Sequence, residues 1–495
     1  MIYRPAEGRK LWDSWLFEWE GTFHLYFLET HEDPYDHVGH AVSDDLVHWT
    51  TRPSISTAGA AGAWDGRPNR LTGMVVRHDD RFFMFLGATH NAVQLVGVYC
   101  SDDLDNWTAH PSNPVMCPKA PHYLDKPRPP QFGTVDWRDP CITYREQDGH
   151  YHALICARLP KWSHAHSGAA VGHLRSRDLI HWEHLPPLEA PLGKYFHAEV
   201  PDIFELGGRH YLLFSTNTRH GIRLNTPRRE NVLGTFYLVG DHPDGPFSRP
   251  DDDLLIGASG RMMPYVGRTI AHGGRGGRLL YHHIRADRST WGAPKMIGQN
   301  EDGTLYLRYM LLLEKLETGT MLESIDAIDA LAVSDLGIWR REGAAVTGRA
   351  DVLASSCKIA RSVADLHLSC RLKIVAGSRA GVMLRNADHT GVHVMLDHEH
   401  QRAQIGMGTC DVYVYGDRPI VETTVDTCSL RLDHGTTYHL RCFARDEHFE
   451  VYLDDRWLFT AVLNDAAKAG DVDLYVERGQ VAVSDIRLAA IEPLA

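Results

Sequence analysis

The sequence predicts an all-β protein: a five-bladed β-propeller followed by a C-terminal antiparallel β-sandwich. Three observations predict it. A short motif recurs as SDDLVHW (43–49), SDDLDNW (101–107) and SRDLIHW (176–182). Hairpin signals precede each copy: WEGTFHLYF, RHDDRFFMFLG and REQDGHYHALI, with ELGGRHYLLFS opening a fourth unit. In each, two runs of alternating polarity flank a short Gly or Asp turn. The repeating unit of about 60 to 75 residues, with about four strands, is the size of a propeller blade. Finally, no stretch of the second half carries a helical period, while short alternating runs such as LHLSCRLKIV, GVHVMLDH and HFEVYLDD follow one another closely, as in a sandwich.

Each element follows in order. Three blades end in the Ser-x-Asp-Leu-x-x-Trp motif, where the Asp caps a turn through local backbone hydrogen bonds and Leu and Trp pack between blades. A fourth blade ends in GDHPDGPFSRP (240–250), and a fifth is carried by GRLLYHHI and Trp291-Gly-Ala-Pro-Lys. The propeller is expected over 1–315, a linker with edge elements over 316–360, and the sandwich over 361–495, where Asp454-Asp455 marks a hairpin.

Composition bounds the function. At 495 residues the chain exceeds what one core serves. A hydrophobic share of 43% and a charged share of 23% are ordinary for a folded protein. A net charge of −13 argues against general affinity for nucleic acid or anionic membrane. No apolar run is long enough to span a bilayer. The opening MIYRPAEGRKLWD lacks the apolar core of a secretory signal, so a cytoplasmic location is expected. Nine cysteines without a CxxC pair point to reduced, buried thiols. His164/His166, His282/His283 and His398-Glu399-His400 are closely spaced, but each lacks a second ligand cluster at metal spacing. Neither a metal nor another cofactor is expected.

The informative carboxylates sit in the lead-ins to blade hairpins, beside aromatics or Arg. Asp13 stands in LWDSW, Asp139 in VDWRDP and Glu199 in FHAEVPD. Singly, each reads equally well as a turn cap, an ion-pair partner or a solvated loop residue. Jointly, three acids in equivalent places of three blades are expected to meet near one axis. Converging carboxylates in an aromatic pocket suit glycoside chemistry. One carboxylate stabilises an oxocarbenium-like centre, and a protonated carboxyl serves the leaving oxygen. A third, paired with Arg138, can grip ring hydroxyls. Trp12, Trp15, Trp64 and Trp137 are placed to pack against a sugar face. His197 is expected merely to line its loop.

These blocks resemble a known family. WDSW (12–15), WRDP (137–140) and EVPDIF (199–204) are similar to the three acidic blocks of the fructan-active propeller glycosidases, families 32 and 68 of the glycoside hydrolases. The first block is closer to the levansucrase form, and the third to family 32, with Val200 replacing the usual Cys. AWDGRPNRLTGMVV (63–76) matches a sugar-contacting second-blade segment loosely. The resemblance implies a small-molecule carbohydrate substrate, a β-fructofuranoside such as sucrose or a fructo-oligosaccharide. It implies Asp13 as nucleophile, Glu199 as acid and then base, and Asp139 as stabiliser. In a retaining reaction the Asp13 and Glu199 carboxyls stand about 5–5.5 Å apart, and the charge of Asp13 raises the pKa of Glu199. Two other readings stay open: an inverting arabinofuranosidase on the same fold, and a non-catalytic carbohydrate-binding protein.

Overall fold

The computed structural model describes residues 2–494 except 33, 57–58, 61, 68, 129–132, 162–166, 217–223, 261, 275, 323–332, 335–336, 388–389 and 409–420. His164, His166 and Cys410 lie outside the described residues. The expected hairpins form. β1 (Lys10–Trp19) and β2 (Thr22–Thr30) meet at Glu20-Gly21, with φ of 52° and 83°. Two positive φ angles give the tight turn whose twist matches that of the flanking strands. β3 (His37–Ser43) and β4 (Thr50–Ser56) complete an antiparallel sheet in the order β1-β2-β3-β4.

The same meander recurs three times. The second sheet holds β5 (Arg70–His78), β6 (Arg81–His90), β7 (Val93–Ser101) and β8 (Thr108–Ala109). The third holds β9 (Trp137–Arg145), β10 (His150–Arg158), β11 (Ala169–Ser176) and β12 (Glu183–Leu185). The fourth holds β13 (Glu199–Leu206), β14 (Arg209–Thr216), β15 (Leu233–Gly240) and β16 (Leu254–Ala258). Next come β17 (Met263–Ala271), β18 (Arg278–Arg285), β19 (Thr290–Trp291), β20 (Lys295–Gln299) and β21 (Leu305–Arg308). The first strands touch in sequence: β1 on β5, β5 on β9, β9 on β13, β13 on β17, and β17 back on β1. The arrangement is propeller-like. Tyr3 joins the two ends of the series by pairing with Trp291. The Trp291 N–H donates to the Tyr3 carbonyl at 2.8 Å, and the Ile2 N–H to the Trp291 carbonyl at 2.9 Å.

The recurrent motif makes one turn three times. In the third copy the Asp178 carboxylate accepts the backbone N–H groups of Ile180 at 3.0 Å and His181 at 2.8 Å. Leu46, Leu104 and Leu179 take φ of 66°, 67° and 66° and are buried. The indoles of Trp49, Trp107 and Trp182 donate back to those leucine carbonyls. Asp178→Ala is expected to cost about 1–2 kcal/mol, the value of a lost cap. A urea midpoint unchanged from wild type would show that the aspartate does not cap the turn.

The set β17–β21 does not stand apart as a separate sheet. Arg308 of β21 pairs with Arg456, so this set and the twelve C-terminal strands form one 17-stranded sheet. A 3-10 helix (Leu311–Leu316) leads into the C-terminal part of that sheet. Its strands are β22 (Glu317–Leu322), β23 (Val333–Ser334), β24 (Gly337–Glu342), β25 (Ala345–Val363), β26 (Leu366–Ala387) and β27 (Thr390–Asp397). It continues with β28 (Arg402–Gly408), β29 (Val421–Ser429), β30 (Thr437–Arg445), β31 (His448–Leu453), β32 (Arg456–Val462) and β33 (Gly470–Ile491). The long β26 and β33 pair with each other, and one apolar core holds Leu368, Leu372, Val382 and Val483. Asp454-Asp455 makes the expected hairpin between β31 and β32, with φ of 50° and 60°.

Charged links tie the propeller-like part to the C-terminal sheet. Arg4 reaches Asp446 at 3.0 Å and Glu447 at 2.6 Å. Lys295 of β20 pairs with Glu450 of β31, and both side chains are wholly buried. Of the eight described cysteines, seven are buried. No helix among the described residues is long and apolar enough to cross a membrane.

Candidate active site

Each first strand breaks its ladder near its start. The register slips between Leu11 and Ser14 in β1, Leu71 and Met74 in β5, and Arg138 and Cys141 in β9. It slips again between Glu199 and Asp202 in β13 and between Tyr265 and Arg268 in β17. Such bulges bend a strand and re-aim its side chains. Three residues within them, Asp139, Val200 and Val266, take φ of 61°, 48° and 54°. For β-branched valine this is strained backbone. Asp139 Oδ2 accepts the Val200 N–H at 3.2 Å, joining neighbouring bulges.

Five strands thereby deliver polar side chains to a single pocket of about 320 Å³. Among these are Asp13, Thr72, Asp139, Glu199 and Tyr265, with Arg70 and Arg138 added from β5 and β9. The three sequence-predicted acids are brought together. Asp13 Oδ2 accepts the Thr72 hydroxyl at 2.5 Å. Its buried Oδ1 has no hydrogen bond, and His283 Nδ1 is 3.8 Å away. Arg138 stands at the centre. It donates to Glu199 Oε1 at 2.9 Å, Asp136 Oδ1 at 2.7 Å and Gln94 Oε1 at 3.0 Å. Its Nε lies 3.2 Å from Asp139 Oδ2. The Tyr265 hydroxyl donates to Glu199 Oε2. His197 does more than line the loop: Nδ1 is 3.3 Å from Glu199 and Nε2 is 3.5 Å from Asp136.

The charges distribute the protons. Burial, reinforced by the charge of Asp139, raises the Asp13 pKa to about 8, with the Thr72 hydrogen bond opposing. Burial raises Asp139 to about 6, against the pull of Arg138. Burial also pushes Glu199 up, but His197, Arg138 and Tyr265 together outweigh it and hold Glu199 below the usual carboxylate range. In the free protein at neutral pH the proton therefore rests on Asp13. This reverses the expectation that Asp13 would force it onto Glu199, because three donors face Glu199 and one faces Asp13.

The tryptophans divide. Trp12 lines the pocket, with its ring 4.8 Å from His283 and the Arg285 guanidinium 5.5 Å above its face. Trp15, Trp137 and Trp64 do not line it. Trp15 is buried and stacked on Tyr26. Trp137 is buried against Tyr123. Trp64 packs over Gly97, where an added Cβ would meet its ring at 2.3 Å. The segment following Trp64 still reaches the site through Asn69, Arg70, Leu71 and Thr72. Sequence reasoning missed Thr72, Gln94, Asp136, Tyr265 and Arg285. The resemblance of 63–76 to a sugar-contacting segment already covered Thr72 without singling it out, whereas Tyr265 belongs to no such motif and only the equivalence of strand starts could have found it.

Among the described residues, one group of three potential metal-ligating side chains comes together, His152, His173 and Asp244. It has partners of its own. His152 Nδ1 and His173 Nε2 share a hydrogen bond of 2.8 Å, and Arg145 donates to Asp244 at 2.7 Å. The first two sheets repeat the pattern, with His24 and His40 at 3.1 Å and His40 3.3 Å from Asp105. Two copies between successive sheets, charge-balanced by Arg145 in one of them, are an interlock of the fold. His398 stacks on His434, and His400 pairs with Asp397.

Residues 14–255 match the family model for the glycosyl hydrolases family 32 N-terminal domain. The acid beta-fructofuranosidase of Phaseolus vulgaris is 30% identical over 130 residues, 25% of this chain and 18% of that protein. The sucrose-6-phosphate hydrolase of Zymomonas mobilis is 28% identical over 242 residues, 46% of this chain and 43% of that protein. These matches span less than half the length of either relative. Among solved structures, the exo-inulinase of Aspergillus awamori aligns with a TM-score of 0.69 at 14% identity, over 99% of this chain and 98% of that one. The Bombyx mori GH32 beta-fructofuranosidase aligns with a TM-score of 0.67 at 17% identity, over 99% and 94%. At that identity the likeness is one of fold. Over residues 14–255, a segment that holds Asp139 and Glu199 and begins one residue after Asp13, the chain is similar to glycosyl hydrolase family 32.

Proposed function

We propose that the chain is a retaining β-fructofuranosidase acting on sucrose or short fructo-oligosaccharides. The observation that carries this reading is the convergence of Asp13, Asp139 and Glu199 on one pocket beside Arg138. The names of the family 32 relatives support the substrate class. A pocket of about 320 Å³ suits a terminal fructosyl group better than the middle of a polymer.

Asp13 attacks the anomeric carbon and forms a fructosyl-enzyme, while Glu199 protonates the leaving oxygen. Glu199 then takes a proton from the water, or the acceptor sugar, that releases the fructosyl group. Asp139 and Arg138 hold ring hydroxyls, and Trp12 offers an apolar face. The chemistry needs Asp13 ionised and Glu199 protonated, the reverse of the free site. Fructose hydroxyls that donate to Asp13 and Asp139 favour their anions, so binding releases the proton of Asp13.

For the architecture, we read β17–β21 as a fifth blade closed by Tyr3 and the C-terminal sheet as folded over itself into a sandwich. Residues 1–315 then form the catalytic unit, 316–360 the connection and 361–495 the sandwich.

The test is a panel of sucrose, inulin, levan, difructose anhydrides and aryl arabinofuranosides, with the first-formed anomer read by NMR. Hydrolysis of β-fructofuranosides with retention is expected. Inversion, or turnover of arabinofuranosides alone, would sink the reading. Binding of a furanoside with no turnover of any would favour a carbohydrate-binding protein.

A further inference from the structure

We propose that His197 is a positioning residue, oriented by Asp136, that stores the proton Glu199 donates and so sets the upper pH limit of the reaction. The inference rests on the reading of Glu199 as acid and base. His197 lies two residues before Glu199 in the lead-in to β13, with its side chain 12% exposed. Its two ring nitrogens face two different carboxylates, Glu199 at 3.3 Å and Asp136 at 3.5 Å.

Asp136 is a fixed anion. Arg158 grips it with two donors at 2.9 and 2.6 Å, and Arg138 adds a third at 2.7 Å. The imidazole is held between the Phe196 ring, 4.3 Å from its own, and the two acids. Neutral imidazole carries one N–H and can satisfy one carboxylate; imidazolium carries two and satisfies both. Ionised Glu199 therefore favours imidazolium. When the proton crosses to Glu199, the neutral ring keeps its remaining N–H toward Asp136. The pair has two arrangements for one proton.

Other groups face this pair from every neighbouring element. From β9, Arg138 favours ionised Glu199, while Asp139 opposes it. From β10, Arg158 opposes the imidazolium, and the buried Cys156 thiol, its pKa pushed well up, stays neutral. Tyr265 of β17 donates to Glu199, and Asp13 of β1 adds its charge when ionised. Without His197, the remaining donors to Glu199, Arg138 and Tyr265, both favour its anion.

The step balances. As the anomeric C–O bond breaks, its electron pair stays on the leaving oxygen, which takes the Glu199 proton. A carboxylate oxygen of Asp13 forms the new bond to the anomeric carbon. In the second half water forms the bond that Asp13 gives up, and the water's proton goes to Glu199 and back into the pair. No proton is gained or lost over the cycle.

The experiment compares pH profiles of kcat/KM on sucrose for wild type and His197→Gln, which keeps a polar side chain but does not titrate. The basic limb is expected to fall by about one pH unit or more, while activity on the acidic plateau stays within about tenfold. A uniform loss at every pH with an unmoved limb would mark His197 as structural and overturn the proposal. Should the variant fail to fold, the pH profile of Asp136→Asn, which keeps the shape but removes the ring's second carboxylate, decides: a lowered basic limb is expected, and an unmoved limb overturns the proposal. Wild type inactive on every β-fructofuranoside would instead sink the assigned reaction, a separate failure.

Discussion

Asp13→Asn is expected to lower kcat on sucrose by on the order of 10⁴-fold while making the protein more stable at neutral pH. The two effects share one cause. Asp13 is largely enclosed, its side chain 14% exposed, with one strong donor, Thr72, and two acids nearby. Its folded pKa of about 8 lies far above the ordinary aspartate value. A carboxyl whose pKa is raised on folding binds its proton more tightly in the native state. It contributes no penalty below the unfolded pKa, and destabilises progressively as pH rises from about 4 toward 8. Asparagine has no such charge, so the variant's stability should be flat over that window and exceed wild type at its upper end by on the order of 1–4 kcal/mol. Denaturant melts at several pH values measure this; parallel curves for the two proteins would mean that Asp13 is not strained by burial. Glu199→Ala adds the complementary test. It should keep fructosylation by substrates with good leaving groups, and azide should restore release of product with retained configuration. Rescue with inversion would exchange the roles of the two residues.

Lys295→Met is expected to destabilise the protein by about 3–5 kcal/mol. Lys295 is wholly buried, with its ammonium on Glu450, the Ala293 carbonyl at 2.8 Å and His282 Nε2 at 3.1 Å. Burial lowers its pKa, opposed by the Glu450 charge. Removing the ammonium leaves Glu450 inside with two hydroxyl donors, Tyr452 at 3.0 Å and Thr460 at 2.9 Å. Two neutral donors do not balance a buried carboxylate. Lys295→Met combined with Glu450→Leu removes both charges and should recover most of the loss, since a buried pair often contributes little beyond its own desolvation cost. Equal midpoints for Lys295→Met and wild type would show that the pair does not hold β20 against β31.

The repeated hairpins were legible because each rests on local signals, alternation and turn residues. The three acids were legible because they occupy one place in three repeats. The tryptophans were not. The bulge at Leu11–Ser14 breaks the alternation on which a facing argument depends, so the neighbours Trp12 and Asp13 both line the pocket, while Trp15 turns into the core. Thr72 and Tyr265 complete the set from strands with no acidic motif. The placement of the proton was illegible for a different reason. It depends on Arg138 and His197 lying within hydrogen-bonding reach of Glu199, and nothing in the spacing of those residues fixes it. The joining of β21 to β32 was equally hidden, since it rests on one pairing between residues far apart in sequence.

The pairing of Tyr3 with Trp291 has a consequence for how the protein is made. Tyr3 finds its partner only after nearly the whole propeller-like part has been synthesised. Until β17 emerges, β1 lacks it as a neighbour and Glu199 lacks Tyr265. Long-range closures of this kind are slow, and an unpaired strand edge is exposed meanwhile. Competence is therefore acquired late: a nascent chain short of Tyr265 holds all three acids without the last strand of the site.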